Sequence, residues 1–331
     1  MIQVLMAKAA HDRIASEIAA LSDQIELVTV VGPDAFERNG NPMPAAELAP
    51  DVVWVSFDCF KAGAMQTYSK AILRGEKAPA WVQTANAGLD NVLFRQIFER
   101  GVRLTKGNAQ GVPIAEYVLA HAISLIVPID RQRELQAQKR WASTPYREIS
   151  QTRWTLVGYG SIGQEIAQRV KAFGAHLTVV RRSSNDDGLA DAVGGQSELL
   201  GILPNSDVVV LACPLTEETR NLAGEAFFEA LKPGSILINV GRGGLVDEDA
   251  LRLGLDRQQP AQAVLDVVQT EPLPVESWIW EHPQIRLSAH TSPAGGGTEA
   301  RGDTQFLQNL KRYLEGQPLL NEASPWEAGI G

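Results

Sequence analysis

The chain has 331 residues, 44% of them hydrophobic and 21% charged, which is the profile of a soluble globular protein with room for two domains of ordinary size. A net charge of −9 excludes a general nucleic-acid binder, since gripping a phosphate backbone needs an excess of Lys and Arg, but leaves open a local basic pocket for a small phosphate. Two cysteines, Cys59 and Cys213, are too few for a disulfide framework.

The N-terminal apolar run at 1–6 is too short for a signal segment and soon meets His11, Asp12 and Arg13. Short β-branched runs at 2–6, 26–31, 52–56, 81–84 and 102–105 alternate with helical patterns at 12–21, 65–74 and 91–100, and this alternation predicts a parallel sheet covered by helices. Residues 111–140 read as one long helix, apolar first and charged later. Its apolar part at 112–127 carries Glu116 and His121 and so reads as a buried helix, not a membrane span. A second alternation follows, with strands at 154–157, 177–180, 208–212, 236–239, 263–266 and 285–287. It ends in an amphipathic helix bearing Phe306, Leu307, Leu310, Tyr313 and Leu314, with Gly316 as its C-cap. The expected fold is α/β with two doubly wound parallel-sheet domains. A Rossmann cofactor domain (109–293) is inserted into a flavodoxin-like substrate domain (1–108 and 294–331).

The run at 154–157 leads directly into Gly158-Tyr159-Gly160-Ser161-Ile162-Gly163 and a helix at 164–173. The first glycine permits a tight turn, the second lets the backbone approach a pyrophosphate, and the third lets helix pack on strand. The helix start at Ser161 and Ile162 then offers unpaired N–H groups to the phosphates. About 20 residues later, where an NAD site carries an acid, stand Arg181, Arg182, Ser183 and Ser184. Guanidinium and hydroxyl groups suit a dianionic 2′-phosphate that a carboxylate would repel, so NADP is preferred and NAD remains possible. The alternative is a solvated basic pair.

Three later strand ends carry Arg242, Glu271 and His290, and doubly wound folds place ligands beyond strand C-termini. Arg242, between glycines, offers a fixed cation for a carboxylate. His290, among small residues, offers a proton donor and acceptor. Glu271, held by Pro272 in an extended chain, offers an acid to tune that imidazole. Each has a plain alternative as a loop residue. His121 reads as core, and His11, His176 and His282 as surface or structural residues. No Cys/His cluster has metal-ligand spacing, and no strand-end Ser has the setting of a nucleophile elbow.

These residues resemble the D-isomer-specific 2-hydroxyacid dehydrogenase family, in its glyoxylate/hydroxypyruvate reductase branch. The likeness rests on Asn239-Val240-Gly241-Arg242-Gly243 with Val246-Asp247-Glu248, on Leu265-Asp266-Val267 followed by Glu271-Pro272-Leu273, and on Pro214-Leu215-Thr216 with Thr219. Ala87-Gly88-Leu89-Asp90-Asn91 and Ile114-Ala115-Glu116 extend it. The resemblance implies hydride transfer between a nicotinamide and a 2-oxo or 2-hydroxy acid of D configuration. Arg242 would hold the substrate carboxylate, His290 would move the proton, and Glu271 would bond His290. The amides of Ala87 and Gly88 would meet the carboxylate. Cys213, Pro214, Thr219, Val240, Gly241, Arg242, Asp266 and His290 would join the glycine turn around the cofactor, with Asp266 on the nicotinamide carboxamide. A homodimer is implied, and the 111–140 helix suits the interface; composition and charge point to a cytoplasmic protein with no nucleic-acid or membrane partner.

Three features depart from the pattern: Arg181 replaces the usual acid, Ala289 stands where many members have Pro, and no regulatory domain follows the tail. The last argues against the longer phosphoglycerate dehydrogenases, and Glu271 argues against formate dehydrogenase, whose corresponding residue is Gln. Trp54, Phe57 and Phe60 either line a pocket for bulkier oxo acids or belong to the core. A dinucleotide-sensing scaffold, like the corepressors on this fold, is the alternative function.

Overall fold

Short, mostly β-branched runs of three to eight residues, too short for a helix, form the strands of two largely parallel sheets. The computed structural model describes residues 1–61, 63–182 and 188–330. The chain divides into two compact units: Met1–Ala109 together with the chain from Gly296 on, and Gln110–Gly295.

The first unit contains β1 (Ile2–Ala7), α1 (Lys8–Leu21), β2 (Ile25–Gly32), β3 (Ala35–Arg38), β4 (Asn41–Met43), β5 (Val52–Val55), α2 (Phe57–Lys61), α3 (Met65–Leu73), β6 (Trp81–Thr84), α4 (Val92–Glu99) and β7 (Arg103–Thr105). Its sheet order is β4-β3-β2-β1-β5-β6-β7. The five strands from β2 to β7 are parallel, in the 2-1-3-4-5 order of flavodoxin-like sheets. The hairpin β3–β4 is antiparallel and adds an edge that the expected all-parallel sheet lacked. Its two-residue turn is Asn39-Gly40, both at positive φ (50° and 79°), the geometry that matches strand twist.

The last helix of the chain completes this unit's core. Phe306 stacks on Trp54 at 5.3 Å and on Trp81 at 5.7 Å. Trp54 is 1% exposed and donates its indole N–H to Asp303 at 3.1 Å, while Arg13 Nε donates to the same carboxylate at 2.5 Å. Trp54 is therefore core. Phe57 packs partly against that core, and Phe60 is exposed.

The second unit opens on α5 (Gly111–Ile126) and α6 (Ile129–Ala137), continues through β8 (Arg153–Val157), α7 (Ser161–Ala172), β9 (His176–Val180), β10 (Ala192–Gly194), α8 (Leu199–Ile202), β11 (Val208–Leu211), α9 (Glu225–Ala230) and β12 (Ile236–Asn239), and closes with α10 (Glu248–Asp256), β13 (Gln262–Leu265) and β14 (Ile285–Leu287). The order β10-β9-β8-β11-β12-β13-β14, all parallel, is the Rossmann order extended by one strand. Alternation along each strand feeds two cores. Trp154, Leu156, Leu177, Val208 and Val210 face Ile114, Val118, Ile166 and Val170 of α5 and α7, whereas Val209, Leu211, Leu237 and Leu265 face Phe227, Phe228 and Leu251 of α9 and α10. Asp247 caps α10 by accepting from the amides of Asp249 and Ala250.

The expected single helix over 111–140 is two helices meeting at 55°. Pro128 has no N–H to give the helix and biases Val127, observed at φ −82° and ψ 119°, away from helical geometry. Among the described residues no single helix is long and apolar enough to cross a membrane. Within the first unit, the closing helix α11 spans Thr298–Leu314, and Gly316, at φ 66°, follows its C-terminus as expected.

Candidate active site

β8 lies between β9 and β11, the point where strand order reverses, so a crevice opens at its C-terminal end. The glycine turn fills it as its three positions require. Gly158 has φ 103°, and a Cβ there would lie 2.6 Å from the Cys213 nitrogen. A Cβ on Gly163 would lie 2.3 Å from the Gly158 carbonyl oxygen, whereas one on Gly160 meets nothing within 4 Å. First and third glycine thus permit the turn and the helix contact, and the second faces open space. The first bond of α7 runs from the Gln164 amide to the Gly160 carbonyl at 2.9 Å, which leaves the amides of Ser161, Ile162 and Gly163 at the helix start for an anion.

Local bonds fix each of the three strand-end residues, and two of them, Glu271 and His290, meet. Asn239, buried at the end of β12, accepts from the Gly241 amide at 3.1 Å and donates to the Arg242 carbonyl at 2.9 Å, which pins the loop carrying Arg242. Val240 is buried. Arg242 is half-buried, and its Nη1 donates to the Gly241 carbonyl at 2.8 Å. A Cβ on Gly243 would lie 1.9 Å from the Val268 carbonyl oxygen, so only glycine lets this loop touch the one bearing Glu271. Glu271 accepts from the Val268 amide at 3.2 Å through Oε1 and meets His290 Nδ1 at 2.9 Å through Oε2. The Glu271–Pro272 peptide is cis, not the ordinary extended linkage expected. Since a carboxylate only accepts, His290 Nδ1 carries the proton in this bond, and Nε2 is left without a partner among the described residues.

A glycine turn on a Rossmann sheet, with an acid-oriented histidine four strands away, has a counterpart among known proteins. The family model for the D-isomer specific 2-hydroxyacid dehydrogenase NAD binding domain matches residues 119–292, just over half of the chain. The chain belongs to this family. Its members are NAD(P)-dependent dehydrogenases, and the second unit is the family's dinucleotide-binding domain. Among curated family members, a D-3-phosphoglycerate dehydrogenase of Mycobacterium leprae is 30% identical over 91% of this chain and 55% of its own. The chain therefore spans about half the length of that relative. A glyoxylate/hydroxypyruvate reductase of Arabidopsis thaliana is 30% identical over 71% of this chain and 73% of its own. A crystal structure of a family protein from Aeromonas salmonicida superposes with TM-score 0.76 and 27% identity, covering 98% of this chain and 99% of that one.

The rest of the family's binding set fits a dinucleotide unevenly. Arg181, just past β9, lays its guanidinium over the Tyr159 ring of the glycine turn at 4.9 Å, and its Nε and Nη2 are buried with no hydrogen-bond partner among the described residues. Two buried guanidinium nitrogens unmet among the described residues suit an incoming phosphate. Arg182 is exposed, and Ser183 lies outside the described residues. Cys213 is 9% exposed, and burial pushes its thiol up to about 12, so it is a neutral wall of the crevice.

Two residues expected at the cofactor also hold local structure. The Thr219 hydroxyl donates to the Pro214 carbonyl at 2.7 Å and accepts from the Thr216 amide at 2.8 Å, which closes the 214–219 turn. Asp266 is 1% exposed, and its carboxylate accepts from the Ser288 hydroxyl and the amides of Thr291 and Ser292. In the first unit, Ala87 and Gly88 follow β6, and their amides donate to no group among the described residues. Sequence reasoning missed the bonding of Asn239, Tyr159 and Val268. Only Asn239 left a signal, as an amide ending an otherwise apolar strand.

Proposed function

We propose that this protein is an NADP-preferring reductase of small 2-oxo acids, such as glyoxylate or hydroxypyruvate, that forms D-2-hydroxy acids and works as a cytoplasmic homodimer. The observation that carries the reading is the 2.9 Å Glu271–His290 pair, which leaves Nε2 open at the strand ends of a dinucleotide-binding domain. The nicotinamide, when bound, supplies the hydride. His290 Nε2–H gives its proton to the carbonyl oxygen as negative charge develops there, and takes it back in the oxidative direction. Glu271 occupies Nδ1 and so fixes which nitrogen faces the substrate. Arg242, permanently charged, holds the substrate carboxylate and polarises the carbonyl.

The NADP preference is supported by Arg181, whose two donors, unmet among the described residues, suit the 2′-phosphate. The small-acid preference is supported by the likeness to the Arabidopsis reductase and by Trp54, which is spent in the core. Self-association is supported by residues 140–148, which form no helix or strand and expose Trp141 completely and Tyr146 by 54%.

Initial rates with hydroxypyruvate, comparing NADPH and NADH at equal concentration, test the reading. A strong NADPH preference is expected. Turnover with NADH alone would overturn the cofactor assignment. Turnover with neither cofactor, on small or bulky oxo acids, would leave a dinucleotide-sensing protein.

A further inference from the structure

The loop that presents His290 is held by groups to which the acid–base reading gives no part. We propose that Tyr117 and Ser288 are positioning residues for the proton transfer, acting through Asp266; this rests on the reading of His290 as the acid of a 2-oxo acid reductase. Tyr117 lies on α5, 171 positions before Ser288, and its hydroxyl stands 2.7 Å from Ser288 Oγ. Ser288 donates its only hydroxyl proton to Asp266 Oδ1 at 2.7 Å. Proton accounting then makes Tyr117 the donor to Ser288. Burial raises the Tyr117 phenol above its usual range, which keeps it a donor. The His121 ring packs against the Tyr117 ring at 4.3 Å and fixes its direction.

Asp266 turns this chain of hydroxyls into a clamp. Its carboxylate takes the Thr291 amide at 2.8 Å and the Ser292 amide at 3.1 Å, and its backbone carbonyl takes the His290 amide at 2.8 Å. Three consecutive amides from the catalytic histidine onward thus end on one buried residue. They hold His290 at φ 49°, a region a non-glycine residue leaves unless its surroundings enforce it. Without the Tyr117 hydroxyl, Ser288 can rotate, Asp266 loses a donor, and the imidazole drifts from the Glu271 bond. Proton transfer at hydrogen-bond range is sensitive to that drift, whereas cofactor and carboxylate binding are not.

The test compares wild type with Tyr117→Phe, Ser288→Ala and Ser288→Thr. It reads hydrogen exchange at the Thr291 and Ser292 amides alongside kcat and KM with hydroxypyruvate and NADPH. Loss of one hydrogen bond is expected to speed that exchange and to lower kcat by about five- to tenfold in Tyr117→Phe and Ser288→Ala, with both KM values within about twofold. Ser288→Thr, which keeps the hydroxyl, is expected to restore both. Unchanged exchange in the first two variants overturns the proposal, as does a fall in kcat matched by an equal rise in KM. If the wild type turns over no oxo acid, the reductase reading fails, and the exchange rates alone decide the clamp: faster exchange upholds it and unchanged exchange ends it.

Discussion

His290 carries its imidazole on a left-handed backbone, so replacing it tests two things unless the substitute tolerates that geometry. Asn tolerates it better than Ala. His290→Asn is therefore expected to fold and bind NADPH normally while kcat falls by roughly 10²–10⁴; near-normal turnover would remove His290 from the chemistry. Arg181 carries a test of the opposite kind, in binding alone. Arg181→Asp replaces attraction to a 2′-phosphate with repulsion and should weaken NADPH far more than NADH, as read by nicotinamide fluorescence titration. Equal weakening would mean that Arg181 does not meet the ribose. His121 adds a pH dependence. Burial, and then the Arg286 charge, lower its pKa from 6.5 against a smaller opposing effect of Asp266. Between that lowered pKa and 6.5 the unfolded chain binds more protons than the folded one, so His121 costs stability as pH falls below about 6.5. His121→Phe, which keeps a ring on Tyr117, should lose less melting temperature than wild type between pH 7.5 and pH 5.5.

At the scale of elements, the glycine turn separates folding from binding. Gly163→Ala forces a Cβ to within 2.3 Å of the Gly158 carbonyl and should cost about 1–3 kcal/mol of stability in denaturant titration. Gly160→Ala meets open space, so stability should hold while NADPH affinity drops. Loss of stability in both variants would mean the second glycine is structural too. The turn was legible because its chemistry is local: each glycine answers to neighbours a few residues away. The strand-end positions of Arg242, Glu271 and His290 were legible for the same reason, since each follows a β-branched run. The local bonds of Asp266 and Thr219 were not. A carboxylate or hydroxyl can serve a ligand or a backbone amide, and its partners here come from another loop and from a turn that sequence spacing does not distinguish from a contact. The break at Pro128 and the Asn39-Gly40 hairpin did leave signals, but each was outweighed by a longer pattern around it.

At the scale of the molecule, the two units have separate cores. The inner unit, residues 110–295, is continuous in sequence and buries both faces of its sheet with its own helices. Expressed alone, it is expected to melt cooperatively and to bind NADPH. A non-cooperative melt would mean its core depends on the rest of the chain. The outer unit is split, and its core closes only when Phe306 stacks on Trp54 and Trp81 and Asp303 meets Trp54 and Arg13. That closure has a consequence at the ribosome. At about 5–20 residues per second, synthesis of the inserted unit takes roughly 10–40 s. Throughout that interval Trp54 and Trp81 have left the ribosome without the ring that covers them. The unit whose strands are made first is thus the last to finish, and its two indoles stay uncovered until α11 arrives.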